Sequence, residues 1–354
     1  MMAHAEWETN LMRGVTEISR EVYDIHMILF WICTVIGAGV FAVMIYSIIN
    51  HRKSKGVEAA QFHHSTTVEI LWTIVPTLIL VVMAVPATLA LINIEDNSDS
   101  DMTIQVVGYQ WKWQYKYLDE ELSFFSNLHE DSRNAINGDP TGVENYLLEV
   151  DNRLVIPTGK KVRFLITAND VIHSWWVPDF GWKQDAIPGF INEAWTRVDE
   201  PGVYRGQCTE LCGIDHGFMP IVVEVKPQEE YDAWVEEQKV AIAAAAASGD
   251  REWAMGELME KGQQVYMRVC VACHQANGMG IPPAFPAIGG SAIATGPIDA
   301  HMSLVMDGVP GSAMQAFAEQ LNDVEIAAVL TYQRNSFGNE VGDMVQPAEV
   351  KAAR

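Results

Sequence analysis

Soft metal ligands are concentrated in one short stretch, QCTELCGIDHGFMP, at residues 207–220. Cys208 and Cys212 stand four residues apart; His216 follows after another four residues, and Met219 after three more. A disulfide between the two cysteines would enclose a short, strained loop and would leave the histidine and the methionine unexplained. Zinc accepts cysteine and histidine but gains little from a thioether. Thiolates, imidazole and thioether together favour copper.

A mononuclear blue-copper site uses one cysteine, whereas this loop carries two. Two thiolates can bridge two copper ions, and each ion then needs one imidazole and one weaker ligand. The second imidazole is predicted to be His173 in NDVIHSWWVP, which follows a predicted strand. In copper sites of the cupredoxin type one histidine comes from an earlier strand and the other ligands from one loop. The loop at 208–219 therefore favours a ligand role for His173 over a structural one.

A second chemical motif, VCVACHQ at residues 269–275, contains C-x-x-C-H. This is the spacing of covalent c-type haem attachment. Cys270 and Cys273 would form thioethers to the porphyrin, and His274 would bind the iron as the proximal ligand. The cysteine pair alone could be a redox dithiol. The adjacent histidine and the helical run GQQVYMRVC before it favour haem.

Two apolar runs without acidic or basic residues precede these motifs, at 25–49 and 70–94. Each would be about 37 Å long as a helix, enough to span a bilayer. The loop between them begins HRKSK, whereas the outer flanks are mostly acidic. The positive-inside rule therefore predicts a hairpin with both termini outside the cytoplasm. The first run has no small-residue cleavage site where a secretory signal would have one.

The rest of the chain separates into segments of different pattern. Short alternating stretches such as TIQVVGYQWKWQYKY and KVRFLITAND predict a Greek-key sandwich or barrel over 99–226, with a polar surface insertion at 127–145. Alanine-rich residues 227–250 are predicted to form a helical linker, 251–340 an all-α domain and 341–354 a frayed tail. Residues 1–98 then hold the N-terminal arm and the hairpin.

The formal net charge of −23 favours basic partners, such as small cationic redox proteins, and argues against nucleic-acid binding. An ordinary solvated acidic surface would carry the same charge, so charge alone does not identify the partner. The fifth cysteine, Cys33, lies inside the first apolar run and is predicted to be an apolar filler.

The stretch at 170–225 resembles subunit II of haem–copper cytochrome c oxidases. The loop pattern of that family, C-x-E-x-C-x3-H-x2-M, is present in full, and the resemblance extends from the hairpin to about residue 226. It implies a cupredoxin-like domain with a binuclear copper centre of the CuA kind. The implied ligands are Cys208 and Cys212 as bridging thiolates, His173 and His216 with one copper each, and Met219 and the backbone carbonyl of Glu210 as weak ligands.

The same resemblance implies roles for other side chains. That of Glu210 would help to hold a magnesium ion at the contact with subunit I, and a carboxylate is a fitting hard ligand for it. Trp111, the first tryptophan of GYQWKWQY, would lie over the copper and take electrons from the donor. Glu69 in VEILWTIVP would lie at the mouth of a proton pathway into subunit I. The structural alternatives are a packed strand aromatic for Trp111 and an acid at a helix N-terminus for Glu69.

The C-terminal part resembles class I cytochromes c, which implies a fused haem domain as in caa-type oxidases. The sixth iron ligand is then expected to be a methionine. The stretch VMDGVPGSAMQAF resembles the distal loop of that family, which selects Met314, with Met306 as the alternative. Pro282 and Pro283 lie near the position where the family has a proline whose carbonyl supports the proximal histidine.

Together these resemblances imply subunit II of a proton-pumping cytochrome c oxidase. Electrons would pass from haem c to the copper pair and on to haem a and the haem–copper site of subunit I, where oxygen is reduced to water. This chain would not reduce oxygen alone. The implied partners are subunit I, subunit III, membrane lipid, and an external cytochrome c or membrane cytochrome as donor. The implied location is a bacterial inner membrane, with the soluble domains on the periplasmic side.

Three other functions share part of these features. A quinol oxidase subunit II has the hairpin and the sandwich but lacks the copper ligands, which are present here. A nitrous oxide or nitric oxide reductase component is disfavoured by the paired spans with VEILWTIVP. A membrane-anchored electron shuttle without a catalytic partner stays open, and co-purification with a large haem-bearing subunit would exclude it.

Overall fold

Two long helices dominate the N-terminal part of the chain. In the computed structural model, which describes residues 9–58, 61, 63–136 and 138–354, α1 spans Glu17–Asn50 and α2 spans Thr66–Glu95. They are about 51 Å and about 45 Å long, and each is apolar enough to cross a bilayer. Large side chains such as Trp72 and Leu80 are exposed along them. The predicted transmembrane hairpin agrees with these two helices.

The start of α1 and the end of α2 are both held against the sandwich domain by hydrogen bonds. Thr16 caps α1 by accepting a hydrogen bond from Ser19 N, and its hydroxyl donates to Phe180 O at 2.8 Å. At the end of α2, Trp195 Nε1 donates to Asn93 O at 3.0 Å. The start of α1 and the end of α2 therefore both lie against the same domain.

The chain divides into two compact units, Met1–Glu121 with Leu148–Gln228, and Leu122–Leu147 with Glu229–Arg354. The strands are β1 (Met102–Tyr109), β2 (Lys112–Tyr117), β3 (Leu122–Ser126), β4 (Leu154–Pro157), β5 (Val162–Ala168), β6 (His173–Trp176), β7 (Lys183–Ala186), β8 (Asn192–Thr196), β9 (Gly202–Cys208) and β10 (Pro220–Lys226).

In the first unit the strands form two sheets, ordered β2-β1-β5-β8 and β4-β10-β9-β6-β7. The pairs β1/β5 and β4/β10 are parallel, and the remaining pairs are antiparallel. Because sequence neighbours such as β4 and β5 lie in different sheets, the chain crosses repeatedly between layers, as Greek-key sandwiches do. This confirms the predicted cupredoxin-like sandwich.

Aromatic side chains fill the space between the sheets. Trp175 is fully buried and stacks on Phe164 and Trp182, with ring centroids 5.3 and 5.2 Å apart. Tyr117 on β2 reaches the other sheet, where its hydroxyl donates to Val155 O at 2.7 Å and accepts from Val155 N at 2.9 Å. Each such buried aromatic contributes about 1.5–3 kcal/mol by burial. The result is a rigid frame at whose edge the ligand loop begins and ends.

The second unit contains β3 and is otherwise helical. Its helices are α3 (Glu130–Ala135), α4 (Gln228–Ser248), α5 (Met255–Val269), α6 (Val271–His274), α7 (Ile298–Asp307), α8 (Asp323–Arg334) and α9 (Pro347–Ala353). The first residue of α4, Gln228, is assigned to the first unit. The predicted all-α cytochrome c domain agrees with α5 to α9. The predicted insertion at 127–145 contains α3, and it clusters with this unit.

Helices α5 and α8 cross in close contact. A Cβ added at Gly262 of α5 would lie 2.1 Å from Ala328 O and 2.6 Å from Tyr332 Cβ, both on α8. Only glycine permits this approach of the two backbones. Tyr266 and Leu330 are fully buried in the core around the crossing.

The prediction of a frayed tail over 341–354 is wrong. Val345 and Val350 are fully buried, and Val345 N donates to Thr331 Oγ1 at 3.0 Å. The amide of Gln346 accepts from Trp253 N at 3.0 Å and donates to Trp253 O at 2.9 Å. The sequence pattern missed this because single buried valines, and not a periodic apolar face, attach the tail to the core.

Candidate metal centre and haem site

The sandwich brings the predicted copper ligands together from two strands and the loop that follows the second of them. His173 is the first residue of β6 and Cys208 the last residue of β9, and these strands pair with Trp175 opposite Cys208. The loop after β9 carries Cys212 and a short helical turn, His216–Phe218, and it ends at Met219 immediately before β10. A hairpin between β9 and β10 therefore presents the loop ligands to the histidine of β6.

The sulfur and nitrogen atoms converge on one small volume. The two sulfurs, Cys208 Sγ and Cys212 Sγ, are 3.8 Å apart, and both cysteines are free. A disulfide requires about 2.05 Å, so the disulfide alternative is not what this structure contains. The other separations are Cys208 Sγ to His173 Nδ1 at 4.0 Å, Cys212 Sγ to His216 Nδ1 at 3.4 Å, Cys212 Sγ to Met219 Sδ at 3.5 Å, and Cys208 Sγ to Glu210 O at 3.4 Å.

These separations leave room for metal ions between the ligand atoms. A first-row metal lies about 2.0 Å from an imidazole nitrogen and about 2.3 Å from a thiolate. The ligand atoms of His173, Cys208 and Cys212 all lie within 4.8 Å of one another, and all three residues are buried. Met219 is also buried, at 1% exposure. Two thiolates, imidazoles and a thioether in a dry pocket fit copper better than zinc.

The two thiols influence each other strongly. Hydrogen bonding with Cys212 and with His173 lowers the pKa of the Cys208 thiol, against the effect of burial. The hydrogen bond with Cys208 raises the pKa of Cys212, and burial raises it further. One thiolate at this position is therefore stabilised without a metal, whereas a second anion so close requires a cation.

Asp170 orients the histidine on β6, and the sequence analysis did not identify it as part of the site. Its Oδ1 accepts a hydrogen bond from His173 Nε2 at 2.8 Å, which leaves Nδ1 facing the sulfurs. Burial lowers the pKa of His173, but the bonds to Asp170 and Cys208 outweigh it and raise the pKa. A carboxylate on the outer nitrogen of a ligating histidine fixes the tautomer and ring orientation. An aspartate three residues before the ligand was the available signal.

The turn after β1 packs against the ligand loop. Gln110 Nε2 and Trp111 Nε1 both donate to Cys212 O, at 2.7 and 3.1 Å, and Gln110 N donates to Asp170 Oδ2 at 2.7 Å. Trp111 is 9% exposed. The structure thus places Trp111 directly against the candidate metal-binding loop. Gln110 was missed because a glutamine within an aromatic stretch of sequence carries no motif of its own.

The carboxylates singled out in the sequence lie outside this pocket. Only the backbone oxygen of Glu210 approaches a sulfur, and the residue is exposed. Glu69 lies in the first turn of α2, where its backbone N–H donates to Ser65 O at 3.0 Å. The magnesium role of Glu210 and the proton role of Glu69 stay predictions.

The C-x-x-C-H motif sits at the junction of α5 and α6. Cys270 is the C-cap of α5, and His274 N donates to Cys270 O at 3.0 Å, so one helical turn holds both cysteines and the histidine. His274 Nδ1 donates to Pro286 O at 2.9 Å, which leaves Nε2 as the ligand atom. Burial lowers the pKa of His274, although the bond to Pro286 opposes the shift. An oriented imidazole beside two half-buried thiols fits haem c.

The proline that supports His274 is not one of the two suggested by the sequence. Pro282 and Pro283 were expected near this position, whereas the carbonyl in contact with His274 is that of Pro286. The expectation was wrong because spacing along the chain cannot indicate which carbonyl a folded loop turns toward the histidine.

The methionines of this domain occupy different environments. Met302 and Met306 are buried in the core, whereas Met279 is 52% exposed. Met314 is partly buried against the same core, and its carbonyl accepts from Val309 N at 2.8 Å. The choice of Met314 over Met306 as iron ligand stays a prediction.

Sequence comparisons agree with this arrangement along most of the chain. Residues 102–226 match the family model described as cytochrome C oxidase subunit II, periplasmic domain, and residues 4–90 match its transmembrane domain. Residues 257–332 match a third model, described as cytochrome C oxidase, cbb3-type, subunit III.

Individual relatives carry the same description. A probable cytochrome c oxidase subunit 2 of Rickettsia bellii is 44% identical over 230 residues, which cover 65% of this chain and 83% of the relative. Cytochrome c oxidase subunit 2 of Cereibacter sphaeroides is 35% identical over 250 residues, covering 65% and 80%. The solved periplasmic domain of cytochrome oxidase subunit II from Bradyrhizobium japonicum is 42% identical, covers 40% of this chain and 96% of that domain, and has a TM-score of 0.36.

Proposed function

The chain belongs to the cytochrome c oxidase subunit II family, and on that premise we propose that it is the electron-accepting subunit of a proton-pumping cytochrome c oxidase. The C-terminal domain would take electrons from a donor, and the sandwich would pass them to haem a and the haem–copper site of subunit I, where oxygen is reduced to water. When bound, haem c and the copper pair supply the one-electron redox chemistry. The chain alone would not reduce oxygen.

One observation carries this proposal: a soft ligand set converges in a buried pocket at the edge of a rigid sandwich. Cys208 and Cys212 are proposed as the bridging thiolates, and His173 and His216 as the imidazole ligands, each through Nδ1. The weak ligands would be Met219 Sδ and the carbonyl oxygen of Glu210. Asp170 and the aromatic packing hold these groups in place without a metal, so little rearrangement is needed on loading.

The helical domain is proposed to hold haem c. Cys270 and Cys273 would form the thioethers, and His274 would bind iron through Nε2 while Pro286 O holds Nδ1. Met314 would be the second iron ligand, and a methionine in that role raises the reduction potential relative to a second histidine. Burial lowers the pKa of His274, which favours the neutral imidazole that ligation requires.

Three more residues are assigned roles by family membership together with their positions. The indole of Trp111 lies against the ligand loop through Cys212 O, which supports a role in receiving electrons at this face. Glu69 in the first turn of α2 is proposed to admit protons to subunit I. The Glu210 side chain is proposed to share a magnesium ion with subunit I, and its exposure is compatible with a shared site.

The hairpin and its fixed ends support the proposed membrane arrangement. We assign 1–98 to the arm and hairpin, 99–226 to the copper domain, 227–250 to a linker, 251–340 to the haem domain and 341–354 to its C-terminal segment. Both termini and the soluble domains would lie on the periplasmic side of a bacterial cell membrane. Subunit I, subunit III, lipid and a donor cytochrome are the proposed partners, and nucleic acid is not among them.

The proposal is tested with the full chain purified in its membrane complex. Cys208→Ser should leave haem c reducible by a reduced donor cytochrome and abolish oxygen consumption, because one bridging thiolate is missing. His274→Ala should retain copper and lose reduction of the haem domain. The matched control is Cys33→Ser, which replaces a cysteine within the apolar α1. It should change neither oxygen consumption nor the reduction of haem c.

Two results would contradict the proposal. One is wild-type oxygen consumption by Cys208→Ser. The other is the absence of a large haem-bearing subunit from the purified complex, which would instead favour the membrane-anchored electron shuttle.

A further inference from the structure

A buried polar pair lies beside the haem-attachment cysteine. His301 on α7 and Gln333 on α8 are 3% and 4% exposed, and they lie beside the apolar core of the helical domain. His301 Nε2 is 2.9 Å from Gln333 Oε1, and Gln333 Nε2 is 3.8 Å from Cys270 Sγ. The contacts therefore run from the histidine through the amide to the sulfur.

The chemistry of the three groups fixes the direction of these bonds. Burial lowers the pKa of His301 to about 4, so the ring is neutral near pH 7 and carries one N–H. A thioether sulfur has no hydrogen, so once haem is attached Cys270 can only accept. The amide must then turn its NH2 group to the sulfur and its oxygen to the histidine, which donates from Nε2.

Neighbouring charge does not explain the pair. Arg334, the next residue on α8, is buried, but its guanidinium is bound by Asp343 and by the carbonyls of Ala294 and Gly296. Among the described residues, His301 Nδ1 is buried without a hydrogen-bond partner. An apolar residue of similar size would avoid that unsatisfied atom, so packing alone does not account for a histidine here.

We propose that His301 and Gln333 are a positioning pair that holds an amide N–H dipole against the Cys270 sulfur and thereby raises the reduction potential of the attached haem. The positive end of the dipole points to the Cys270 sulfur, and it would stabilise an attached haem more after an electron has been added than before. Hydrogen bonding around a haem is one of the means by which a protein sets its potential. The inference rests on the haem-binding part of the proposed function.

The test measures the midpoint potential of haem c in the full chain, purified in its membrane complex. Gln333→Met replaces the amide by an unbranched side chain of similar size without a donor. At a fixed poise, the ratio of reduced to oxidised haem should fall about threefold, which is about 28 mV at about 59 mV per tenfold. Thr331→Val, a buried polar change on the same helix that involves Val345 N and not the haem, should leave the potential unchanged.

Variants of His301 distinguish a role in orienting the Gln333 amide from a role in packing. His301→Leu removes the donor that orients the amide but keeps Gln333, and it should lower the potential in the same direction. His301→Gln restores an N–H donor and should recover the wild-type value. Because two different positions are changed, the test does not depend on the folding of a single variant.

Two results distinguish the inference from its premise. If wild-type protein carries haem c and both Gln333→Met and His301→Leu keep its potential, the positioning role is refuted while haem binding stands. If the wild-type chain attaches no haem through Cys270, the haem-binding part of the proposed function fails first.

Discussion

At the scale of single residues, a carboxylate organises one side of the metal centre. Asp170 accepts hydrogen bonds from His173 Nε2, Gln110 N and Val171 N, so it joins the β6 histidine to the turn that carries Trp111. It has no direct contact with the proposed copper position, yet it decides which ring nitrogen faces the sulfurs. Removal of this carboxylate should therefore weaken metal binding.

We expect Asp170→Ala to weaken copper binding by about 10- to 100-fold, the usual loss when the partner of a ligating histidine is removed. The measurement is a competition titration of copper against a chelator on the purified chain. Asp101→Ala, which removes another aspartate with a bond to a backbone N–H, is the control and should bind copper normally. Equal affinities for the two variants would contradict the role of Asp170.

A second residue-scale effect depends on pH. The side-chain bonds from Arg334 outweigh burial and hold the pKa of Asp343 below its ordinary value of 3.8. A depressed folded-state pKa gives stability that is full above the ordinary value and is lost as pH falls through the folded value. Asp343→Asn should therefore lower the free energy of unfolding near neutral pH, by about 2 kcal/mol.

The measurement is denaturant unfolding of the full chain, followed by absorbance of the haem domain, for wild type and variant over a pH series. The difference between them should be constant from neutral pH to just above 3.8 and should disappear at lower pH. A difference that persists at the acid end would show that Asp343 does not act through its charge.

Many of the candidate site residues could be predicted, because the proposed ligands follow fixed spacings along the chain. The pattern at 208–219 predicted the soft side chains that meet in the pocket, and C-x-x-C-H predicted the cysteines and histidine of the proposed haem motif. Asp170, Gln110 and Pro286 could not be found this way, since each acts on a ligand through a hydrogen bond made only after folding. The sequence does not indicate which carbonyl or carboxylate of a distant loop will contact a proposed ligand after folding.

At the scale of elements, the approach of β1 to β6 determines whether His173 reaches the sulfurs. A Cβ added at Gly108 would lie 2.8 Å from His173 Cδ2 and 3.0 Å from Cγ. The contact is with a ring already held by Asp170, so the ring cannot move away freely. Gly108 therefore sets the distance between the strand and the ligand.

Gly108→Ala should displace the imidazole and reduce copper bound per chain, whereas Gly217→Ala, where an added Cβ meets nothing within 4 Å, should not. The measurement is copper content after dialysis, together with the copper hyperfine pattern in electron paramagnetic resonance. Normal copper content and an unchanged pattern in Gly108→Ala would show that the strand can relax around the added methyl group.

The crossing of α5 and α8 makes a similar prediction for the haem domain. Gly262→Ala places a methyl group against Ala328 O and should destabilise this domain by about 2 kcal/mol, as overpacking does. Gly256→Ala on the same helix meets open space and should be neutral or slightly stabilising, because alanine favours helix. The measurement is the midpoint of thermal unfolding of each variant with haem attached. Equal midpoints for the two variants would contradict the close crossing of the helices.

At the scale of the whole molecule, the order of hairpin, sandwich and helical domain could be predicted because each has its own periodicity. Uncharged runs mark 25–49 and 70–94, alternation marks the strands, and amphipathic stretches mark the helices. The clustering of 122–147 with the C-terminal unit could not be predicted, nor could the packing of the tail through Val345 and Val350. Both depend on contacts between segments far apart in the chain.

The central claim is that one chain holds a binuclear copper centre and one covalent haem, and metal content tests it most directly. Copper, iron and zinc are counted per full-length chain, purified in detergent after maturation with haem and copper. The account predicts one haem iron per chain and twice as much copper as iron. Equal amounts of copper and iron would contradict the bridging role of Cys208 and Cys212, and zinc in place of copper would contradict the oxidase function.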